Sequence, residues 1–251
     1  MRRIVGLISY GFLAFCFVAS VSAAGLSSAQ KTEMETLVHD YLLSHPEILR
    51  EMANKLDEND KQRETEARVG TLQSKKNEIY HDASDAVVGN PQGDVTIVEF
   101  MDYNCGWCKK SVVEMQGLIK QDKNVRIVMK EFPIFGEGSE YAARAALAAV
   151  KQGKYWQLHQ ALFASESKVT PEVVDQIAVE QGLDLVKLKS DMKDPAIAEN
   201  IRKTQVLAQS LLLTGTPAFI IDDQVFPGYT QLDNLMASLA TVRAAGGCKL
   251  C

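Results

Sequence analysis

The 251-residue sequence lacks several features that would have indicated a class of function. Its formal net charge is −5, and its lysines and arginines form no basic stripe. Proteins that bind nucleic acid concentrate positive charge on one face, so we predict no nucleic-acid partner. No internal repeat is evident either, so the chain does not have the sequence signature of a repeat protein.

The chain also lacks an apolar run of the length that spans a membrane. Its longest run follows Arg2 and Arg3, covers residues 4–19 and leads into the small residues Val21, Ser22 and Ala23. This order is typical of a secretory signal peptide, and a retained anchor is the less favoured alternative because the run is short. We therefore predict a signal peptide at residues 1–23 and a location in the periplasm or cell envelope.

Cysteine is scarce, and its spacing is informative. Cys16 lies in the predicted signal peptide, and the other four form two C-x-x-C pairs, Cys105 with Cys108 and Cys248 with Cys251. Disulfides persist in the oxidising compartments to which exported proteins go. A C-x-x-C pair can serve redox chemistry, supply half of a metal site or form a structural disulfide.

The surroundings of the first pair favour redox chemistry. It follows the β-branched run at residues 95–100 and opens a predicted helix. The partial positive charge and free N–H groups of a helix N-terminus stabilise a thiolate, so Cys105 is the expected nucleophile. Cys108, one turn further on the buried face, is the expected resolving cysteine. No nearby histidine or further cysteine completes four zinc ligands, so we predict no metal site and no cofactor.

Residues 24–86 differ from the rest in being rich in charge and free of cysteine. Helical spacing of apolar residues continues past Pro46 as a stripe of Ile48, Leu49, Met52 and Leu56. Residues 57–78 are mostly charged and form either a solvated helix or a linker. The stripe must pack on the main domain or on another copy of itself, and we predict the second, a homo-oligomer of two or three chains.

From residue 90 the pattern changes to strand, cysteine motif and helix, then a strand within 124–134 and mostly helices over 138–213. A hairpin after "TGTPAF" and a helix at about 231–244 follow. This order predicts an α/β fold with a mixed sheet. Together with "CGWC" and "GKYWQLHQALF", it resembles the DsbA-type disulfide oxidoreductases of the thioredoxin fold over residues 90–243. The resemblance implies a thioredoxin domain at 87–247 with a helical insert at about 138–213.

The resemblance also implies roles for individual residues. Pro217 is expected to be cis and to lie against the cysteine pair, and Thr216 to bind the substrate backbone and tune the redox potential. Glu99 matches the buried acid that relays a proton for the second cysteine. Trp107 is expected to form part of an apolar surface that receives unfolded clients.

Two further features refine the expected activity. Gly106 and Trp107 replace the histidine that the DsbA prototype carries between its cysteines, so the disulfide is expected to be less oxidising. "YLLSHPEIL" resembles the N-terminal oligomerisation extension of the ScsC-like branch, whose members isomerise disulfides. We therefore predict an oxidase with isomerase activity toward exported proteins with cysteines, recycled by a membrane redox partner. The alternative is an envelope protein whose thiolates handle copper or zinc.

The terminal pair has no comparable surroundings. Cys248 and Cys251 follow "AAGG" at the end of the last predicted helix, in a tail at residues 248–251. We predict a local disulfide here. Inter-chain linkage, a metal-binding tail and an auxiliary redox relay are the alternatives.

Overall fold

The computed structural model describes residues 27–251. The predicted signal peptide and Cys16 lie outside the described residues. The chain divides into two compact units, the first ending at Asn59 and the second running from Asp60 to Cys251. Within residues 27–251, no helix is long and apolar enough to cross a membrane.

The described residues form ten α-helices and five strands. The helices are α1 (Ser28–Ser44), α2 (Glu47–Ser74), α3 (Lys76–Tyr80), α4 (Gly106–Gln121), α5 (Glu137–Ala149), α6 (Tyr155–Ala164), α7 (Pro171–Glu180), α8 (Leu185–Asp191), α9 (Pro195–Ser210) and α10 (Leu232–Ala244). The strands are β1 (Ala86–Gly89), β2 (Val95–Met101), β3 (Val125–Glu131), β4 (Ala218–Ile221) and β5 (Gln224–Pro227).

The smaller unit holds α1 and the beginning of α2. The two helices meet at His45 and Pro46, where proline cannot continue the hydrogen bonds of a helix. No residue of α1 is buried, and Leu72 is the one buried residue of α2. The charged stretch at 57–78 is therefore a solvated helix through Ser74 and not an extended linker.

The larger unit is built on a mixed sheet with strand order β1-β3-β2-β4-β5. β2 and β3 pair in parallel, and the other three pairs are antiparallel. This confirms the predicted mixed α/β architecture. β1 was not predicted, because four residues between turns are too short to show a period.

Side chains alternate between the two faces of β2, and each face has its own core. Ile97 and Met101 pack with α4, α10 and the insert, whereas Val98 and Phe100 pack with α3 and the end of α9. Glu99 has the same parity as Ile97 and therefore points toward α4. The pleat of one strand thus places a carboxyl group in the core beneath the cysteine helix.

Candidate active site

The loop that joins β2 to α4 is held by the buried Asp102. Its carboxylate accepts hydrogen bonds from the N–H groups of Asn104 (2.7 Å), Ile134 (2.7 Å) and Phe135 (3.0 Å) and from the Ser139 hydroxyl (2.7 Å). Bonds to an ionised acceptor are stronger than neutral ones. The loop is therefore fixed to the segment after β3, and Cys105 is placed at the start of α4.

Cys105 is the N-cap residue of α4, and its sulfur accepts a hydrogen bond from the Cys108 N–H at 3.4 Å. Both cysteines are free thiols in the structure. The hydrogen bond from the Cys108 side chain, with smaller help from the N–H groups of Cys108 and Trp107, lowers the pKa of Cys105 to about 6. Cys105 is thus a thiolate at neutral pH, the reactive form of cysteine.

Cys108 has the opposite environment. Its side chain is 1% exposed, and burial raises the pKa of its thiol far above the usual range. The hydrogen bond to Cys105 and the negative charge of Glu99 raise that pKa further. The pair therefore consists of a thiolate at the start of α4, which is 5% exposed, and a thiol deeper in the core.

Glu99 lies fully buried on β2 and accepts a hydrogen bond from the Ser111 hydroxyl at 2.9 Å. Burial raises its pKa to about 7, the Ser111 hydrogen bond opposes that change, and the charge of Cys105 adds to it. The carboxyl group is therefore about half protonated at neutral pH. Its role as a proton relay for Cys108 stays a prediction.

Thr216 and Pro217 close the site from the β4 side. The peptide bond between them is cis, which confirms that expectation. When protonated, the Cys105 thiol donates a hydrogen bond to the Thr216 carbonyl, 3.2 Å away, and the Pro217 carbonyl accepts one from the Gly228 N–H at 2.9 Å. The loop before β4 and the loop after β5 thus meet beside the cysteine pair.

Trp107 is 55% exposed and projects beside this loop. The Lys110 ammonium lies 4.3 Å from the centroid of its ring, and the Tyr229 ring centroid is 5.7 Å away. Ile134 and Phe135 are further exposed apolar side chains near the site. No sequence pattern indicated Tyr229, because it lies in the loop after β5, where nothing is periodic.

A groove of about 370 Å³ opens next to Cys105. We call it the Cys105 groove, and it is lined by Tyr103, Asn104, Cys105, Gly106, Lys109, Phe135, Leu162, Phe163, Ser165, Glu166, Ser167, Lys168 and Val169. The Asn104 side chain donates to the Val169 carbonyl (3.0 Å) and accepts from its N–H (2.9 Å). Gly138 permits this approach, since a Cβ atom there would lie 2.2 Å from the Val169 oxygen.

Comparison with known proteins agrees with this geometry. Residues 96–240 match the DSBA-like thioredoxin domain, and residues 30–63 match the Copper resistance protein ScsC N-terminal domain. The chain belongs to the DSBA-like thioredoxin family. The resemblance inferred from the sequence, including the ScsC-like extension, is confirmed.

Relatives of this DsbA-like chain include two solved structures. A thioredoxin-like oxidoreductase from Silicibacter pomeroyi DSS-3 is 44% identical, covering 67% of this chain and 97% of that one, with a TM-score of 0.66. Proteus mirabilis ScsC in a transitional conformation is 28% identical, covering 88% and 98%, with a TM-score of 0.64. Na(+)/H(+) antiporter NhaA 3 of Salinispora tropica is 27% identical over 163 residues, or 64% of this chain. The chain spans only about a quarter of that antiporter's length.

The second cysteine pair of this DsbA-like chain is not part of the site. Cys248 and Cys251 form a disulfide, and the tail is held by Asp222 in the turn between β4 and β5. The Asp222 carboxylate accepts hydrogen bonds from the N–H groups of Lys249 (2.8 Å) and Leu250 (2.9 Å). This turn is at the opposite end of β4 from Pro217.

A buried polar cluster lies behind the Cys105 groove. Oε1 of Glu131 accepts hydrogen bonds from the hydroxyl groups of Tyr103 (3.0 Å) and Tyr155 (2.8 Å). The Tyr103 hydroxyl also lies 3.1 Å from Nδ1 of His159, whose burial lowers its pKa to about 3. His159 is therefore a neutral packing residue of the insert.

Proposed function

We propose that this protein is an exported thiol–disulfide oxidoreductase that forms and isomerises disulfide bonds in proteins of the periplasm or cell envelope. The observation that carries the proposal is the contrast between the two cysteines of the site. Cys105 lines the Cys105 groove and has a pKa of about 6, whereas Cys108 is a thiol buried in the core. Such a pair separates the attacking sulfur from the resolving sulfur.

In the oxidising direction, a client thiolate attacks the Cys105 sulfur of the Cys105–Cys108 disulfide. The sulfur–sulfur bond breaks, Cys108 leaves as a thiolate, and protonated Glu99 is the proton source for it. A second client thiolate then attacks the client sulfur of the mixed disulfide, and Cys105 leaves as a thiolate. Two electrons pass from the client to the protein, and a membrane redox partner must remove them.

In the isomerising direction, the reduced protein begins the exchange. The Cys105 thiolate attacks a wrong client disulfide, and the released client thiolate or another one later displaces Cys105 from the mixed disulfide. No net transfer of electrons occurs. Thr216 and Pro217 are proposed to bind the client backbone, and Trp107 to contact its side chains.

The N-terminal helices are proposed to join two or three copies of the chain. Several large apolar side chains of the smaller unit are more than half exposed, among them Leu37 (69%), Tyr41 (53%), Met52 (60%) and Leu56 (60%). Large exposed apolar side chains in this number are typical of an interaction site. The match to the ScsC N-terminal domain over residues 30–63 supports a second copy as the partner.

The proposed organisation keeps a signal peptide at 1–23, an extension at 24–86, a thioredoxin domain at 87–247 and a tail at 248–251. Leu72, Ile79 and Tyr80 are buried in the core of the larger unit, so the proposed oligomerising part ends near Asn59. A periplasmic fraction should contain a chain whose mass lacks residues 1–23. Recovery of the full-length mass would contradict export by a cleaved signal.

The central test compares the wild type with Cys105→Ser and Cys108→Ser in two assays, reduction of insulin and refolding of scrambled ribonuclease. Cys105→Ser should abolish both activities. Cys108→Ser should trap client proteins as mixed disulfides that a non-reducing gel separates. Wild-type activity in Cys105→Ser would refute the proposed function.

A further inference from the structure

One face of α4 carries Trp107, proposed above to contact the client, together with side chains to which the exchange reaction gives no role. Trp107, Lys110 and Glu114 are three and four residues apart, so they lie on the same face of the helix. Tyr229 joins them from the loop after β5, with its ring centroid 5.7 Å from that of Trp107. We call these four residues the Trp107 shelf.

Glu114 connects the shelf to two other elements. One carboxylate oxygen accepts a hydrogen bond from the Tyr229 hydroxyl, and the other accepts one from the Leu232 N–H at 3.1 Å. Leu232 is the first residue of α10, whose leading N–H groups have no partner within the helix. Glu114 therefore caps α10 and anchors the phenol of Tyr229 at the same time.

The anchored tyrosine is also tied to the reactive part of the site. Gly228, its neighbour in the chain, donates to the Pro217 carbonyl at 2.9 Å. The backbone next to Tyr229 is thus tied to the cis-proline loop, and the Tyr229 ring lies near the indole of Trp107, which is two residues after Cys105. The Lys110 ammonium also lies over the indole, 4.3 Å from the ring centroid. An exposed indole that is braced in this way presents an ordered apolar surface.

We propose that Tyr229 and Glu114 are positioning residues that hold Trp107 as a binding surface for an aromatic or large apolar side chain next to the client cysteine. This inference rests on the proposed function, because the client is bound while its sulfur exchanges with Cys105. The Cys105 groove lies on the face of α4 that carries Lys109, so the shelf contacts a different part of the client.

The test uses two dithiol peptides that differ at one position, with phenylalanine or glycine beside the first cysteine. Oxidised protein is mixed with each peptide, and the rate at which the protein is reduced is measured by stopped flow. The peptide dithiol becomes a disulfide while Cys105 and Cys108 become thiols. The ratio of the two rate constants isolates side-chain recognition, because a change in the reactivity of Cys105 affects both peptides equally.

The phenylalanine peptide should reduce the wild-type protein about fivefold faster than the glycine peptide does, which is the selectivity typical of one aromatic contact. Tyr229→Phe, which keeps the ring and loses the anchor, should lower that ratio to about twofold. Glu114→Ala should do the same, and Glu114→Gln should restore part of the preference. The double variant Tyr229→Phe, Glu114→Ala should be no worse than Glu114→Ala, because both changes remove the same hydrogen bond.

Tyr141→Phe is the matched control. It removes another tyrosine–carboxylate hydrogen bond, to Asp175 at 2.8 Å on the helical insert, and Tyr141 lines neither the Cys105 groove nor the shelf. Its ratio should equal that of the wild type. Replacing Trp156 by phenylalanine leaves Trp107 as the one tryptophan. In that background, acrylamide should quench the fluorescence of Trp107 more strongly when Tyr229 is also replaced by phenylalanine.

Equal rates for the two peptides in the wild type would overturn the inference, as would an unchanged ratio in Tyr229→Phe and Glu114→Ala. Failure of the proposed function gives a different result, because the wild type would then react with neither peptide. Circular dichroism of each variant identifies any loss of folding. Tyr229→Phe retains nearly all of the original side chain, so it keeps the test decisive.

Discussion

The Ser111 hydroxyl donates a hydrogen bond to Oε1 of Glu99 across the interface between α4 and β2, at 2.9 Å. Ser111 lies three residues after Cys108, so it points into the core on the same face of the helix. This hydrogen bond favours the ionised carboxylate, whereas burial favours the protonated form, and burial has the larger effect on the pKa. Glu99 consequently titrates near pH 7.

Glu99→Gln should slow the release of Cys108 from the disulfide, because the amide cannot supply a proton. It should also change the pH dependence of stability. The folded-state pKa of Glu99 is raised from 4.5 to about 7, so its stabilising contribution is full below pH 4.5 and is lost as the pH rises through 7. Above pH 7 the free energy of unfolding of Glu99→Gln should rise by on the order of 3 kcal/mol relative to that of the wild type.

Urea unfolding of the oxidised proteins at pH 4 and pH 8 measures this difference, and the oxidised state keeps the cysteines out of the titration. Ser111→Ala is the companion variant, since removing the hydrogen bond should raise the pKa of Glu99 further. Parallel stability curves for the wild type and Glu99→Gln across this pH range would contradict the assignment.

Reduced protein should be alkylated by iodoacetamide with a pH midpoint near 6, set by the lowered pKa of Cys105. The lowered pKa of Cys105 also stabilises the folded, reduced protein. This contribution to the free energy of unfolding is fully present above pH 9.0, the ordinary pKa of the thiol, and is lost as the pH falls through 6. Cys108→Ala removes the largest cause of the shift and should move the midpoint upward. A midpoint of 8 to 9 in the wild type would be inconsistent with a stabilised thiolate.

The apolar side chains of α1 and α2 should control self-association. Met52→Glu places a charge on an exposed apolar residue and should shift the sedimentation of the mature protein from oligomer toward monomer. Asn54→Glu adds the same charge two residues away, where the original side chain is polar, and should leave the oligomer intact. Deletion of residues 27–59 should give monomers, and an oligomer of unchanged size would exclude these helices as the interface.

The terminal disulfide should act as a structural cross-link. Replacing Cys248 and Cys251 together by serine should lower the free energy of unfolding by about 2 kcal/mol, as expected for a very short loop. Insulin reduction should stay within twofold of the wild type, because the tail is at the opposite end of β4 from Pro217. Wild-type protein that runs as a disulfide-linked dimer on a non-reducing gel would instead indicate inter-chain bonds.

Asp102→Asn should weaken the hydrogen bonds that hold the loop between β2 and α4. The carboxylate accepts three backbone N–H groups and one hydroxyl, and an amide side chain offers a single acceptor oxygen. We expect a loss of about 2 to 3 kcal/mol in the free energy of unfolding. Ser139→Ala, which removes one of the four donors, should cost less. Equal stability of Asp102→Asn and the wild type would show that these bonds are dispensable.

The parts of the fold that follow from local pattern were predictable from the sequence. The β-branched run of β2, the apolar face of α4 with Val112 and Met115, and the position of α10 all carry a periodic signal. The cis bond at Pro217 was expected from the family resemblance alone. No local pattern distinguished β1, and none showed that Leu72 and Tyr80 join the core of the larger unit.

The relationships within the site were less accessible because they join distant parts of the chain. Tyr229 and Glu114 are 115 residues apart, and Asn104 and Val169 are 65 apart. Ser111 looks like an ordinary polar residue in a helix until the partner on β2 is known. A single sequence shows which residue types are present, but only the order and pairing of the strands and helices shows which of them are in contact.

Gly138 has a consequence for how this site can vary. Its missing side chain lets α5 approach the carbonyl of Val169, and the hydrogen bonds between Asn104 and Val169 depend on that approach. Any larger residue would push the 165–169 segment outward and widen the Cys105 groove, without altering either cysteine. The width of the groove beside the redox motif is therefore adjustable at a single residue, 30 positions after Cys108.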